Sequence, residues 1–339
     1  MSPEPSVAVI GAGSWGTTVA AIVSAHAPTV LWGRNPTVVD DINNRHENRA
    51  YLPEITLPDA LRATTDLEDS CGNATVVVMA VPSHGFRAVL CDAANAIAPD
   101  TPLVSLSKGL EADTQLRMTE VMLDVLPEHH GDRVAVLTGP NLAREVAVGQ
   151  PAASVIACRD PALAVELQAL FMSGTFRVYT NPDVVGCEMA GALKNVIAIA
   201  AGISAGLGYG DNTQAGLITR GLAELTRLGV AVGGEPLTFA GLAGLGDLVA
   251  TCVSEHSRNR SVGVELGRGR SLVDIVAETN MVAEGVRTTA AVLELAARTH
   301  VDMPIATLVG AVLYDHRQPA DLVPELMLRE AKAELHGLT

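Results

Sequence analysis

Three glycines near the amino terminus constrain the fold of this chain more than any other feature. Gly11, Gly13 and Gly16 have the spacing G-x-G-x-x-G, and they follow a short apolar run and open a helical pattern. A second apolar run comes within about 30 residues, so the motif has the strand–helix–strand context of a dinucleotide fold. In this context the first glycine allows the tight turn, the second a close approach to a pyrophosphate, and the third close helix packing.

The residues around the second apolar run indicate which dinucleotide is bound. We expect the backbone amides of Ser14 and Trp15, at the helix start, to meet the phosphates. NAD-binding versions of the motif usually place Asp or Glu after the second strand, about 20 residues past the glycines. This chain has Arg34 there and no carboxylate before Asp40. A guanidinium group suits a 2′-phosphate, so NADP(H) is favoured, with NAD(H) as a second cofactor. A solvated surface arginine is the alternative.

Apolar runs and helical patterns alternate through the first half of the chain. The runs read as strands buried on both faces: Val7–Ile10, Thr29–Trp32, Thr75–Val81, Leu103–Leu106, Val134–Thr138 and Ala153–Ala157. The helical patterns between them include Trp15–Ala25, Gly85–Ile97 and Thr114–Val125. Such alternation predicts a Rossmann-type doubly wound parallel sheet in an α/β amino-terminal domain, residues 1–180.

Beyond Asn181 the pattern changes to Ala/Leu/Val-rich helices without a convincing strand. The clearest are Thr213–Leu228, Ser271–Glu278, Gly285–Arg298 and Met303–Tyr314. We therefore predict an all-α carboxy-terminal domain, residues 181–339. Its low charge would allow a partner surface to be buried, and we expect a homodimer.

Composition and charge exclude several classes of protein. The chain is 48% hydrophobic and 18% charged, and its net charge of −15 repels nucleic acid. The amino terminus lacks the basic region of a signal peptide, and apolar stretches such as Val196–Gly208 are shorter than the roughly 20 residues of a membrane span. Neither the five cysteines nor the His, Asp and Glu residues have metal-ligand spacing. We expect a cytoplasmic protein with no nucleic-acid partner, stable membrane insertion or metal.

Two lysines are candidates for the chemistry. Lys194 lies in the apolar helical pattern GCEMAGALKNVIAIAAG, where burial would lower its pKa and make it a usable acid or base. The alternative is a lysine that extends its charge to the surface. Lys108 follows a predicted strand, at the edge where open α/β sheets bind ligands.

A second group of candidates lies in the stretch GLAGLGDLVATCVSEHSRNR. Asp247 occupies its glycine-rich turn, and Ser257, Arg258 and Asn259 open the next helical segment. A hydroxyl, a guanidinium and an amide beside free helix amides are suited to phosphate. Ser257 is also an ordinary helix-capping residue.

Eight motifs in order, together spanning nearly the whole chain, resemble the NAD(P)-dependent glycerol-3-phosphate dehydrogenases of the bacterial type. They are GAGSWGT, LWGRNP, VPSH, SLSKGLE, TGPNLAREVA, AGALKNVIAIAAG, GLAGLGDLVATC and SRNR. The resemblance implies reversible reduction of dihydroxyacetone phosphate to sn-glycerol 3-phosphate, which supplies phospholipid synthesis.

The same resemblance implies roles for individual residues. Lys194 would be the proton donor and acceptor. The cofactor would be contacted by Ser14, Trp15, Arg34, Lys108, Ala143, Arg258, Val282 and Glu284, beside the three glycines. The substrate would be held by Lys108, Gly139, Lys194, Asp247, Ser257, Arg258 and Asn259. Asn141 stands where the family often has Ser or Thr, so an amide would replace that hydroxyl contact.

Two other functions are compatible with this architecture. A β-hydroxyacid or ketopantoate-type dehydrogenase also combines a dinucleotide domain with a lysine-bearing helical domain, but leaves the Ser257–Asn259 segment unexplained. A non-enzymatic NADP(H) sensor would not need Lys194 in an apolar helix.

Overall fold

The computed structural model describes residues 5–278, 283–331 and 333–334. The chain divides into two compact units. Unit 1 comprises Met1–Ser107 and Met118–Val184, and unit 2 comprises Lys108–Arg117 and Val185–Thr339. The division proposed at residue 180 therefore needs the segment Lys108–Arg117 assigned separately, because this segment packs with the carboxy-terminal helices.

The described part of unit 1 contains ten strands. They are β1 (Val7–Ile10), β2 (Thr29–Trp32), β3 (Glu47–Asn48), β4 (Leu52–Thr56), β5 (Arg62–Thr64), β6 (Val76–Met79), β7 (Leu103–Ser105), β8 (Val134–Thr138), β9 (Ala152–Cys158) and β10 (Phe176–Asn181). Eight of these form one sheet in the order β10-β9-β8-β7-β6-β1-β2-β5, and β3 and β4 form a separate antiparallel pair. The central strands β1 and β6 are buried along their full length, as their continuous apolar sequences predict.

Helices connect the strands of unit 1. They are α1 (Ser14–Val23), α2 (Pro36–Arg45), α3 (Leu67–Cys71), α4 (Ser83–Ala93), α5 (Met118–Val125), α6 (Ala143–Ala147) and α7 (Pro161–Phe171), with 3₁₀ turns at Ala94–Ala96 and Gly131–Arg133. Helices α2 and α7 each begin with proline after a capping side chain, Asn35 and Asp160. Proline at the first position and an Asx cap before it are typical helix-start signals.

The sheet is mixed, whereas the sequence predicts parallel strands throughout. β9 runs antiparallel to β8, and β10 then runs parallel to β9. The link between the antiparallel strands β8 and β9 contains only the five-residue helix α6, whereas the link between the parallel strands β9 and β10 contains the longer helix α7. β10 is absent from the predicted strands because every second residue of its first half is exposed, so it has no continuous apolar run.

Apart from the segment Lys108–Arg117, where Leu110 and Arg117 form a β-bridge, the described part of unit 2 is helical. It contains α8 (Val184–Gly206), α9 (Asp211–Ala231), α10 (Pro236–Ala240), a π-helical turn (Leu242–Gly246), α11 (Asp247–Val253), α12 (Arg258–Gly267), α13 (Leu272–Glu278), α14 (Glu284–Thr299), α15 (Pro304–Tyr314), a 3₁₀ turn (Pro319–Asp321) and α16 (Leu322–Met327). The helical pattern is predicted to begin beyond Asn181. In the structure, strand β10 extends to Asn181 and the first helix begins at Val184.

Helix α8 is the central element of the core of unit 2. Its 23 residues are long and apolar enough to cross a membrane, so the expectation that the apolar stretches are too short was wrong. However, 94% of its most apolar window is buried inside the protein. A core helix passes the same test of length and composition, and the hydrophobic cluster of unit 2 includes residues along this helix, from Met189 to Ile203.

Helices α8 and α12 approach each other backbone to backbone. Gly202 and Gly206 on α8 lie against Gly263 and Gly267 on α12, so each helix contributes a G-x-x-x-G pair. A Cβ on Gly202 would lie 2.1 Å from the carbonyl oxygen of Arg260. Small residues at this spacing allow close helix contact. The contact fixes the start of α12 relative to α8.

We predict that Gly202→Ala destabilises the protein by about 1–3 kcal/mol, the usual cost of overpacking a core. Gly216→Ala on α9 is the matched control, because nothing lies within 4 Å of the added Cβ. Alanine in an exposed helix interior stabilises by about 0.5–1 kcal/mol relative to glycine. Urea unfolding of both variants measures the two effects, and a Gly202→Ala variant as stable as the parent would contradict the backbone contact.

Candidate active site

The glycine loop of unit 1 has the geometry that its spacing predicts. Gly11 has φ +125°, and a Cβ there would lie 2.7 Å from the carbonyl oxygen of Ala80. A Cβ on Gly16 would lie 2.0 Å from the carbonyl oxygen of Gly11. Gly13 differs, because nothing lies within 4 Å of its Cβ position. The first and third glycines are therefore required by packing, and the second leaves the loop open to a ligand.

The start of helix α1 offers backbone donors at this opening. Ser14 and Trp15 are its first residues, Gly13 caps it without a side-chain hydrogen bond, and its first turn has no acidic residue. First-turn amides have no partner within their own helix and attract anions. The Ala143 carbonyl, at the start of α6, accepts a hydrogen bond of 3.3 Å from the Thr18 hydroxyl of α1. Ala143 thus lies beside the helix that the glycine loop opens.

Arg34 lies just beyond the carboxyl end of β2 and its side chain is exposed. Among the described residues it has neither an ion pair nor a side-chain hydrogen bond. The open glycine loop, the helix amides and this guanidinium group fit a dinucleotide that has a 2′-phosphate.

The chemically distinctive group of unit 2 is a buried carboxylate between two lysines. Asp247 is 2% exposed and begins α11, directly after the π-helical turn. Its Oδ2 accepts from Lys108 Nζ at 2.6 Å, and its Oδ1 accepts from Lys194 Nζ. The Lys194 ammonium also donates to Thr251 Oγ1 at 2.6 Å. Sequence reasoning did not identify Thr251, although its position one helical turn after Asp247 places both on one helix face.

Burial makes Lys194 a usable proton donor. The side chain is 7% exposed, so it does not extend its charge to the surface. The pKa of Lys194 is lowered from 10.5 to about 8. Removal from water is the largest cause, the Lys108 ammonium acts in the same direction, and the Asp247 carboxylate opposes the shift. Its charge therefore changes close to neutral pH.

A second buried ion pair positions Lys108, and sequence reasoning missed it. The segment Lys108–Arg117 is held at one end by Leu110, which lies in the core of unit 2. At the other end Arg117 Nη1 donates to Glu188 Oε2 on α8 at 2.7 Å, with both side chains largely buried. The sequence contains one weak signal of this ion pair. Glu188 is a carboxylate within the otherwise apolar helix α8, and a buried carboxylate usually has a charged partner.

The predicted phosphate-binding residues lie at the start of α12. Ser257 is the N-cap, and its hydroxyl accepts from the Arg260 amide at 3.3 Å. Asn259 Oδ1 accepts from the Gly285 amide at 2.9 Å, which leaves its N–H₂ group as the donor it can offer a ligand. The Arg258 side chain is exposed.

Glu284, predicted to contact the cofactor, begins α14 directly before Gly285. Burial raises its pKa, while the charges of Arg258, Lys108 and Lys194 lower it. These charges act on Glu284 because they are close to it, so the structure groups it with the lysines and the start of α12.

The remaining predicted site residues are in unit 1 or outside the described part of the chain. Gly139 and Asn141 are in unit 1, on the loop after β8, and Gly139 has φ +142°. Asn141 Nδ2 donates to Ser154 Oγ at 3.0 Å, so its amide nitrogen is engaged within unit 1. Val282 lies outside the described residues. Within the described ranges, no group of three His, Cys, Asp or Glu side chains is placed to hold a metal.

A glycine loop suited to a dinucleotide and a buried lysine of lowered pKa define a nicotinamide-dependent oxidoreductase. The family model described as NAD-dependent glycerol-3-phosphate dehydrogenase N-terminus matches residues 6–164, and its C-terminus counterpart matches residues 183–324. The chain belongs to the NAD-dependent glycerol-3-phosphate dehydrogenase family.

Individual relatives agree with this assignment. The chain is 56% identical to glycerol-3-phosphate dehydrogenase [NAD(P)+] 2 of Sphingopyxis alaskensis, covering 97% of this chain and 98% of the relative. It is 52% identical to glycerol-3-phosphate dehydrogenase [NAD(P)+] of Thermobifida fusca, and the match covers 98% of this chain and 99% of the relative. The crystal structure of glycerol-3-phosphate dehydrogenase from Coxiella burnetii matches with a TM-score of 0.91 and 36% identity, covering 96% and 99%.

The cluster around Asp247 generates a pair of predictions of opposite sign. Asp247→Asn removes the charge that raises the pKa of Lys194, so we expect Lys194 to titrate below its wild-type value of about 8. Lys108→Met removes the neighbouring ammonium, so the pKa of Lys194 should rise. NMR titration of the lysine Cε signal, assigned by its loss in Lys194→Met, measures both shifts. Shifts of the same sign in both variants would contradict this electrostatic arrangement.

Proposed function

We propose that the protein catalyses the reversible NAD(P)H-dependent reduction of dihydroxyacetone phosphate to sn-glycerol 3-phosphate. The observation that supports this most directly is the buried Lys194, hydrogen-bonded to Asp247 and Thr251 and of lowered pKa. Bound NAD(P)H supplies the hydride that is added to C2 of the substrate.

Lys194 manages the proton of this reaction. With a pKa of about 8 it is mainly protonated at neutral pH, so it can protonate the C2 oxygen as negative charge develops there. In the reverse direction the neutral amine accepts the proton from the C2 hydroxyl of glycerol 3-phosphate. Asp247 and Thr251 hold the ammonium in one place, and this fixed geometry increases the rate of proton transfer.

The start of α12 is the proposed site for the phosphate group. Arg258 provides a charge-assisted donor and Asn259 a neutral N–H₂ donor whose orientation is fixed by Gly285. The Ser257 cap leaves the hydroxyl proton free to donate as well. These donors favour a phosphorylated substrate over the unphosphorylated substrates of β-hydroxyacid and ketopantoate-type dehydrogenases.

In unit 1, the glycine loop and the amides of Ser14 and Trp15 would hold the pyrophosphate of the cofactor. Arg34 would contact the 2′-phosphate, which favours NADPH over NADH. The proposal further places the enzyme in the cytoplasm, as a homodimer that supplies glycerophospholipid synthesis. The low charge of the helical unit, which would allow a partner surface to be buried, supports the homodimer, and the family resemblance supports the role in glycerophospholipid synthesis.

The direct test is to mix the protein with NADPH and dihydroxyacetone phosphate and follow the nicotinamide absorbance. Oxidation that depends on dihydroxyacetone phosphate supports the proposal. Oxidation of NADPH with a 2-keto or 3-oxo acid instead would indicate another dehydrogenase. NADPH binding without turnover of any of these substrates would indicate a sensor.

We predict that Lys194→Met lowers the rate of hydride transfer by at least the roughly 10²-fold typical of losing a general acid. Methionine is of similar size and apolar, so folding and NADPH binding should be retained. Wild-type reduction should also decrease above pH 8, where Lys194 loses its proton, and the variant should lack this ionisation. Single-turnover reactions with prebound NADPH measure the step.

Leu193→Met is the matched control for that experiment, since it places methionine at the adjacent buried position of the same helix. It should retain near-normal turnover. A decrease of less than about fivefold in Lys194→Met, against the 10²-fold expected, would remove Lys194 from the proton transfer.

We predict that Arg34→Glu shifts cofactor preference from NADPH towards NADH. Loss of a charge-assisted contact costs about 1.5–3 kcal/mol, so kcat/KM for NADPH should fall roughly 10- to 150-fold. Arg159→Glu, an exposed arginine after β9 in the same unit, makes the same charge change far from β2 in strand order. If the ratio of kcat/KM for NADPH to kcat/KM for NADH were the same in both variants and in the parent protein, Arg34 would be excluded from the cofactor site.

A further inference from the structure

We propose that Asn48 is a positioning residue for the cofactor, acting through the peptide group between Ala12 and Gly13. Asn48 lies on β3, in the short antiparallel pair that follows α2, and its side chain is 0% exposed. It does not belong to the glycine motif, and 36 residues separate it from Ala12 in the sequence. The inference rests on the proposed function, because it assumes that the glycine loop binds a dinucleotide.

The Asn48 side chain connects the glycine loop to the helix that follows it. Its Nδ2 donates to the Ala12 carbonyl oxygen at 2.9 Å and to Thr17 Oγ1 at 2.8 Å. Its Oδ1 accepts from the Tyr51 amide at 3.2 Å. A backbone carbonyl only accepts and a backbone amide only donates, so these partners determine which end of the amide is nitrogen.

This hydrogen bond orients the Gly13 amide. In a planar trans peptide the C=O and N–H bonds point in opposite directions. Because Asn48 holds the Ala12 carbonyl, the Gly13 N–H points to the side away from Asn48. Nothing lies within 4 Å of the Gly13 Cβ position, so the loop is open at this residue. Asn48 therefore fixes a donor at the place where the motif brings the backbone closest to a pyrophosphate.

Asn48 lies where the pairing of β3 with β4 is irregular. Glu47 pairs with Thr56, whereas Asn48 pairs with Leu52, so the register shifts between these two residues. A buried amide that satisfies two acceptors of the loop and helix is costly to replace, since the acceptors would remain unpaired.

The test compares two ligands that differ in whether they contain the pyrophosphate. NADPH contains it, whereas adenosine 2′-monophosphate contains the adenosine and the 2′-phosphate alone. The variants are Asn48→Ala and the isosteric Asn48→Asp, which keeps the shape but loses both N–H donors. We expect Kd for NADPH to rise at least about tenfold, equivalent to about 1.4 kcal/mol. Kd for adenosine 2′-monophosphate should change by less than about twofold, since it makes no contact with the oriented amide.

Asn43→Ala is the matched control. Asn43 Nδ2 donates to the Ala63 carbonyl at 2.9 Å and its Oδ1 accepts from the Ala63 amide at 2.8 Å, so the same unit loses a similar pair of bonds. Its melting temperature should decrease while the ratio of the two Kd values stays at the wild-type value.

Three results separate the possible explanations. A selective loss of NADPH affinity in both Asn48 variants supports the inference. If both ligands weaken equally, or neither does, Asn48 has no specific role in orienting the loop and the inference is overturned. A wild-type protein that does not bind NADPH would instead contradict the proposed function itself.

Discussion

The helical unit is organised around a carboxylate that shares its two oxygens between two ammonium groups. Asp247 accepts from Lys108 on one oxygen and from Lys194 on the other. A single carboxylate cannot neutralise two lysines, so the group retains positive charge in a chain whose net charge is −15. Burial strengthens the field of this charge. An anionic phosphorylated substrate is the ligand for which such a site is suited, and nearby Arg258 increases the same preference.

Two contacts hold these groups in position, and neither involves the reacting groups. The glycine contact between α8 and α12 fixes Lys194 relative to Arg258 and Asn259, because Lys194 lies on α8 and the other two residues lie on α12. The Arg117–Glu188 pair fixes the far end of the segment that begins with Lys108. A site mounted on packed helices keeps its geometry better than one mounted on loops. The cost is that neither helix tolerates a side chain at the glycine positions.

The sequence predicted those features that depend on local pattern. Strands β1, β2 and β8 have the predicted bounds, and Gly11 and Gly16 have the packing that the motif implies. Patterns failed where neighbours decide the outcome. β10 is half exposed, β9 runs antiparallel to β8, and the 108–117 segment packs with helices distant in sequence. The partners of Asn48 and Arg117 could not be predicted, because 36 and 71 residues separate the bonded groups.

The value of about 8 for the pKa of Lys194 results from opposing effects: burial and the Lys108 ammonium lower it, and the Asp247 carboxylate raises it. The proposed reversible proton transfer needs shifts of both signs. Burial alone would favour the neutral amine, which has no proton to donate to a developing alkoxide. A carboxylate alone would keep the ammonium charged, so it would not accept a proton in the oxidation direction. The folded protein holds this lysine charged at neutral pH at a cost in stability, because the unfolded chain binds the proton more tightly. Asp247 offsets part of that cost, so its carboxylate contributes to the stability of the unit as well as to the proposed proton transfer.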